Sequence, residues 1–461
     1  MANKHASLDA LFADIADAIR EKTGDSGTIP AVEFPNMIRE RLEVIPPAYL
    51  TFSSPNSFTL AVGDAAKHWD GTIEYSTDTS TWSTWDGTTT LSSATSGSDN
   101  VLYIRGTGNT VITGNNTNYR WVLTGTDISW VGNVENLLDY TTVKLGSHPT
   151  MATYCYFSLF QDCTGLTQAP ALPATTLTEG CYTGMFSGCT SLTQAPVLPA
   201  TTLAASCYEY MFYGCTGLTQ APELPATTLA ASCYSAMFSG CTGLTQAPEL
   251  PVTMLEIYCY QDMFSGCTGL TQAPALPATT LADYCYQYMF SDCASLTQAP
   301  ALPATALTNS CYRNMFSGCK ALTQAPALPA TTLASSCYYS MFNRCTSLTQ
   351  APSELPATTL AKNCYRFMFE FTAITAIPKI MATTYATDSC KGMFDDIKTL
   401  NVYSSSGPVH PYGWTAPAST YCSGMFGSDD RESEWAKLDG SNFPNGGTPT
   451  EGVTYYFATV G

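Results

Sequence analysis

The chain has 461 residues and a formal net charge of −18, with 45% hydrophobic but only 12% charged residues. Its length suggests about three domains at roughly 150 residues each, and no run approaches the ~18 apolar residues of a membrane span. The acidic balance argues against nucleic acid or an anionic membrane as partner, since each needs clustered Lys and Arg, and four scattered histidines (His5, His68, His148, His410) offer no local zinc or acid–base pair.

Residues 1–46 read as a helical attachment segment. Leu8, Leu11, Phe12, Ile15, Ala18 and Ile19 share one face of a helix over 7–24, with Ser7 as N-cap and Gly24 as stop. A second short helix is expected from Pro35 to before Pro46-Pro47. No basic stretch leads into an unbroken apolar core, so no secretory signal is expected. About 45 residues cannot build a stable core unaided, so the stripe Leu8, Leu11, Phe12, Ile15 and Ile19 must dock on its own chain, another copy or a larger assembly. Leu11–Gly24 followed by Phe34-Pro35 resembles a short N-terminal module of phage tail and tail-fibre proteins, which implies attachment to other virion proteins.

Residues 47–148 read as a small Ig-like β-sandwich. Tyr49–Phe52, Ser57–Val62, Thr72–Tyr75, Val101–Ile104 and Tyr119–Leu123 are strands between Gly, Ser, Asn and Asp clusters. Ser76–Trp82 resembles one sialidase Asp-box, one residue short; a hairpin turn is the favoured reading. Trp69, Trp82 and Trp85 suit core packing better than a sugar platform.

Residues 149–400 are a repeat. The first cysteine of each unit is placed at 155, 181, 207, 233, 259, 285, 311, 337, 364, 390 and 422, and the second at 163, 189, 215, 241, 267, 293, 319 and 345. The step is 26 until Ser353 makes one step 27. Leu203, Cys207, Met211 and Cys215 are spaced by four, which predicts a helix in each unit with Glu209, Tyr210 and Tyr213 facing outward. Leu-Thr-Gln-Ala-Pro-x-Leu-Pro predicts an extended partner, because proline excludes helix. One unit cannot bury its apolar face alone, so units must stack into an α/β solenoid. Helices pack more widely than strands, which predicts curvature with the strands concave. Eight residues of helix separate paired cysteines by about 12 Å, too far for a disulfide. No Cys-x-x-Cys pair suggests zinc, so two ladders of buried thiols are expected. The Cys-Tyr-x-x-Met-Phe-x-x-Cys unit resembles the BspA-type leucine-rich repeats. The resemblance implies a leucine-rich-repeat solenoid for adhesion or partner binding, found in bacterial surface proteins and phages, without catalytic residues or cofactors.

Residues 401–461 read as a degenerate repeat and C-terminal cap, with a last strand at Val453–Ala458. The function expected is a phage or prophage tail-fibre or receptor-binding protein located on the virion. A bacterial surface adhesin of the same family is the alternative, and a glycan depolymerase a third reading with only Glu223 and Glu249 in its favour. The expected partners are a host surface protein or glycan, other virion proteins, and further copies of the chain in a trimer. No metal, nucleic acid or membrane insertion is expected. The row Gln168, Gln194, Gln220, Gln246, Gln272, Gln298, Gln324, Gln350 suggests a self-satisfying amide ladder. The outward face differs from unit to unit, which nominates Phe157, Glu209, Tyr210, Tyr213, Tyr288, Arg313, Tyr339, Arg366 and Phe367 as the binding surface.

Overall fold

The structure, a computed structural model, describes residues 49–427, 431–443 and 445–458. The chain divides into two compact units, Met1–Pro47 and Ala48–Gly461. The expected N-terminal helices and the nominated stripe from Leu8 to Ile19 lie outside the described residues. No described helix is long and apolar enough to cross a membrane.

Alternation builds the first part of the second unit. In β1 (Leu50–Ser54) residues Leu50, Phe52 and Ser54 point inward, and in β2 (Thr59–Val62) Leu60 and Val62 do. The long strand β3 (Asp99–Thr107) pairs antiparallel with β1 and with Thr72–Ser76. A second sheet joins β2 to Leu91–Ser92 and Trp121–Thr124. The expected strands are all present. Short ones at Ser83–Trp85, Ala94–Ser96 and Ile128–Val131 join them, as does a helix over Asn136–Lys144. Trp69 and Trp85 are buried, with Trp85 edge-on to Trp121 at 5.2 Å, whereas Trp82 lies under the Arg105 guanidinium at 3.9 Å. The three tryptophans therefore make no common platform. Asp78 accepts from the amides of Ser80 and Thr81, both at 2.9 Å, which makes the Asp-box look-alike a hairpin turn.

This region runs into the first repeat without a linker. Ile128–Val131 pairs parallel with Leu166–Gln168. Ile112 N donates to Cys155 O at 2.8 Å, and Trp121 N to Leu159 O at 2.7 Å. Phe160 of the first repeat packs on Trp130 at 4.4 Å between ring centroids. A Cβ on Gly165 would lie 2.0 Å from the Gly125 carbonyl oxygen, so only glycine seats the repeat this closely. The boundary expected near residue 148 thus falls inside one continuous core.

The repeats contain no helix between Cys155 and Asp396, which corrects the α/β expectation. Each Cys-to-Cys segment is a ribbon of linked turns. In the third coil Glu209 N donates to Ser206 O, Met211 N to Tyr208 O and Tyr213 N to Tyr210 O, at 3.0–3.2 Å. The alternate amides point along the stack: Tyr208, Tyr210, Phe212 and Gly214 donate to Cys233, Ser235, Met237 and Ser239 of the next coil at 2.8–3.1 Å. Every fourth residue is left-handed, with φ of 53° at Ser206, 54° at Tyr210 and 68° at Gly214. Such a ribbon repeats every four residues without drift. An α-helix advances 400° in four residues and would carry Leu203, Cys207, Met211 and Cys215 off one line. The sequence carried a second cue. Ser, Asn, Asp and Gly recur at the left-handed positions, where they are tolerated best.

Both sides of a coil therefore stack at backbone spacing, so the wider helix spacing behind the expected curvature is absent. The tyrosines from Tyr156 to Tyr365 form one ladder of parallel rings, successive centroids 5.6–6.0 Å apart. The phenylalanines from Phe186 to Phe426 form another at 5.5–6.0 Å. All nineteen cysteines are buried free thiols. Those of the second row are hydrogen-bond donors: Cys241 Sγ donates to Phe212 O at 3.0 Å, and Cys189 to Cys345 repeat this at 3.0–3.1 Å. Burial pushes the thiols up, to about 12 at Cys241 and Cys293.

The proline side is held more sparsely, by single bridges such as Gln168–Gln194, Thr202–Thr228 and Gln220–Gln246. The glutamines are exposed and their amides make no bond to one another; Gln168 accepts instead from Ser129 Oγ at 2.7 Å. No amide ladder forms.

Near the C-terminus the register shifts. Tyr365 N donates to Ser389 O and Phe369 N to Met393 O, so Ser389 holds the first-cysteine position and Cys390 that of the tyrosine. Cys422, after Tyr421, is placed likewise. The step from Cys364 to Cys390 is still 26, because this unit is one residue short, 25 from Cys364 to Ser389, and its cysteine comes one position late. The phenylalanine ladder ends under Phe443, 4.5 Å from Phe426, and Phe457, 6.0 Å away. Phe457 belongs to the expected last strand, Thr454–Phe457, which pairs antiparallel with Tyr412–Thr415.

Candidate recognition surface

The turn ribbon fixes which side chains reach solvent. Cys, Tyr, Met and Phe of each segment point inward; of the two residues between Tyr and Met the large side chains are half-buried, Tyr210 is exposed, and small ones such as Ser158, Ser235, Ala236 and Ser340 are buried. The first of the two positions makes one column, with Phe157, Glu209, Arg313, Tyr339, Arg366 and Lys391 among its members. Inter-coil bonds set its register, for example Tyr288 N to Arg313 O at 2.9 Å and Phe367 N to Lys391 O at 3.0 Å. The second position is left-handed in every coil. Tyr210, Tyr288 and Phe367 stand there with φ of 53–55°, where other coils place Gly184, Asn314, Ser340 or Gly392.

The nominated residues share this face but form separate groups. Phe157 meets Tyr154 edge-on at 5.9 Å. Tyr210 and Tyr213, the most exposed of the set, meet edge-on at 5.9 Å beside Glu209, whose carboxyl is raised by burial. Tyr288, half-buried, precedes a denser group. The Arg313 guanidinium lies 4.6 Å from the Tyr339 ring, Arg366 lies 5.7 Å from the same ring and 4.9 Å from Phe367, and Tyr339 meets Phe367 at 6.1 Å. Arg366 also pairs with Asp388 at 3.4 Å. Lys391, Lys362 and Arg344, near this group, are not among the residues that the outward-face pattern nominates. The signal that finds them is the distribution of charge along the chain.

Two sets of carboxylates bear on chemistry. Glu223 and Glu249 are exposed beside the Pro222, Pro225, Pro248 and Pro251 rings of a shallow groove between coils. Glu370, Asp395 and Asp396 bring one oxygen each within 4.8 Å of the others, the described arrangement nearest to a cation site. Asn343 donates to Glu370, and Arg431 Nη2 donates to Asp396 at 2.7 Å. Burial, and then Asp395 and Asp396, push the Glu370 carboxyl up to about 7.

Stacked turns with a constant interior and a variable outer column fit a leucine-rich-repeat protein. The BspA type leucine rich repeat region matches residues 154–297 and 263–393, in six copies, and the chain belongs to that family. No curated protein matches. A solved leucine-rich repeat protein from Bacteroides ovatus ATCC 8483 is similar, with 15% identity, a TM-score of 0.24, and coverage of 55% of this chain and 79% of that one.

Proposed function

We propose that the chain is a non-enzymatic adhesion protein that recognises a cell-surface partner through the outer column of its turn ribbon. The observation that carries this is the strain at that column. A left-handed L-residue costs roughly 1–2 kcal/mol, yet Tyr210, Tyr288 and Phe367 occupy positions that glycine fills elsewhere. Strain held at bulky aromatic side chains, Tyr210 exposed and Tyr288 and Phe367 half-buried, fits a binding role. Replacing Tyr210, Tyr288 and Tyr339 together by Ala is expected to weaken binding to the target cell and leave Tm nearly unchanged. Binding that survives this change, but fails when Gln220, Gln246 and Gln272 are replaced, places the site on the proline side instead.

The finer reading is a phage tail-fibre or receptor-binding protein attached to the virion through residues 1–46. The resemblance of Leu11–Gly24 to phage tail modules favours it over a bacterial surface adhesin. Deleting residues 1–45 should leave the remainder folded and abolish incorporation into particles or oligomerisation. A truncated chain that still assembles normally defeats the attachment role.

A further inference from the structure

The repeat region separates its charges. From Leu145 to Tyr312 there is no Lys or Arg against nine Asp and Glu, whereas Arg313 to Lys398 holds eight Lys and Arg against five Asp and Glu. A protein of net charge −18 thus gathers its repeat cations on four neighbouring coils. Three of them share the outer column, in the order Arg313, Tyr339, Arg366, Lys391, one residue per coil. The register is fixed by Asn314 N to Tyr339 O at 2.8 Å, Ser340 N to Arg366 O at 2.9 Å and Phe367 N to Lys391 O at 3.0 Å. The tyrosine rings beneath step by 5.8 and 6.0 Å over the first three of these coils, so the positions of the column recur at a regular interval, with cations at the first, third and fourth of them and an aromatic ring at the second.

Acidic groups do not cancel this column. Asp388 faces Arg366, and Arg344 lies by the Phe371 ring at 5.5 Å with Glu370 nearby. Among the described residues Arg313 and Lys391 make no ion pair, and Arg313 Nε has no hydrogen-bond partner. The rings of Tyr339 and Phe367 stand between the cations and hold the arginine planes. A guanidinium pairs with a carboxylate through two parallel bonds, and a flat aromatic face suits the apolar face of a pyranose ring.

We propose that this column binds an acidic polysaccharide bearing carboxylates at regular intervals, laid along the stack across the coils of Arg313 to Lys391. This names the ligand class of the recognition surface and rests on that reading. The acidic coils from Cys155 to Asp292 repel a polyanion, which confines it to the basic coils and favours a thin, evenly charged strand over densely charged nucleic acid.

The test titrates the full chain with polygalacturonate, using dextran as the neutral control and duplex DNA as the competing polyanion. Polygalacturonate should bind at low salt, weaken as salt rises, and lose affinity at least about tenfold in Arg313→Gln/Lys391→Gln, with dextran silent and DNA weaker. Lys362→Gln/Lys391→Gln, which leaves the aromatic stack intact, should also weaken binding, and Glu256→Gln should not. The proposal is overturned if the wild-type chain ignores polygalacturonate, if the cation variants bind it undiminished, or if dextran or DNA binds as well. It is overturned too if polymer binding gives way to salt-sensitive self-association between acidic and basic coils. If polygalacturonate fails while the tyrosine triple change still abolishes cell binding, the ligand class is wrong and the recognition face stands.

Discussion

Each coil has two sides that hold their neighbours in different ways. On the turn side, alternate amides bond forward into the next coil while the others close turns within their own. On the proline side, isolated bridges at Gln or Thr are joined by pairs no longer than two residues, such as Glu354–Leu355 with Lys379–Ile380. The side expected to be helical is thus the one bonded like a sheet, and the side expected to carry the strands is the looser. Proline explains part of this, because it cannot donate to a ladder. The turn ribbon explains the rest, because its four-residue period aims every second amide along the stack.

The contrast predicts unequal sensitivity. Phe238→Ala empties a site between two stacked rings, Phe212 and Phe264, each 5.7 Å away, and should cost roughly 3–5 kcal/mol. Gln246→Ala on the proline side, where the amide is exposed, should stay within about 0.5 kcal/mol. Denaturant melts of the two variants check this, and equal losses would erase the distinction between the sides.

The two cysteine rows sharpen the same point. Cys241 donates its thiol proton to Phe212 O at 3.0 Å, whereas Cys233 of the same coil only packs. Both should cost about 1 kcal/mol on truncation to Ala, with Cys241→Ala dearer by roughly 0.5–1.5 kcal/mol for the lost bond. Cys241→Ser should recover part of that difference, and a reducing agent should leave Tm unchanged.

The last coils hold Glu370, the described carboxyl raised furthest by its surroundings. Glu370 titrates near 7 in the folded chain, above the ordinary glutamate value of 4.5. The folded state therefore holds this proton more tightly than the unfolded state. Its contribution to stability is present below about 4.5 and is lost as pH rises through about 7. Solvent screening of this half-buried group keeps the effect near or below about 1 kcal/mol. Glu370→Gln should flatten the dependence of Tm on pH between about 5 and 8, and an unchanged slope would place its origin elsewhere.

Much of this was legible in the sequence. Leu203, Cys207, Met211 and Cys215 were readable as one buried face from their recurrence, and the strands from Leu50 to Thr124 from alternation. The turn ribbon was misread because Leu203, Cys207, Met211 and Cys215 fit a helical face over a short window. Their exact spacing of four, and the Ser and Gly at every fourth residue, are what a helix does not need. Cys390 looks like a first-row cysteine by its spacing alone, whereas the Met393-Phe394 pair sets the register and puts it at the tyrosine position. The basic coils beginning at Arg313 were in plain view, but the net charge of the whole chain masked them.

The sign of a glycine effect tests the central claim, that the Cys-to-Cys segment is a left-handed-punctuated turn ribbon. Ser232 is half-buried, with φ of 54°. If the segment is this ribbon, Ser232→Gly is more stable than Ser232→Ala by about 1 kcal/mol, because only glycine takes that backbone without strain. If it is an α-helix, Ser232→Ala is the more stable by about 1 kcal/mol. A pair of thermal melts decides it: a higher Tm for the glycine variant is the result expected, and a higher Tm for the alanine variant contradicts the account.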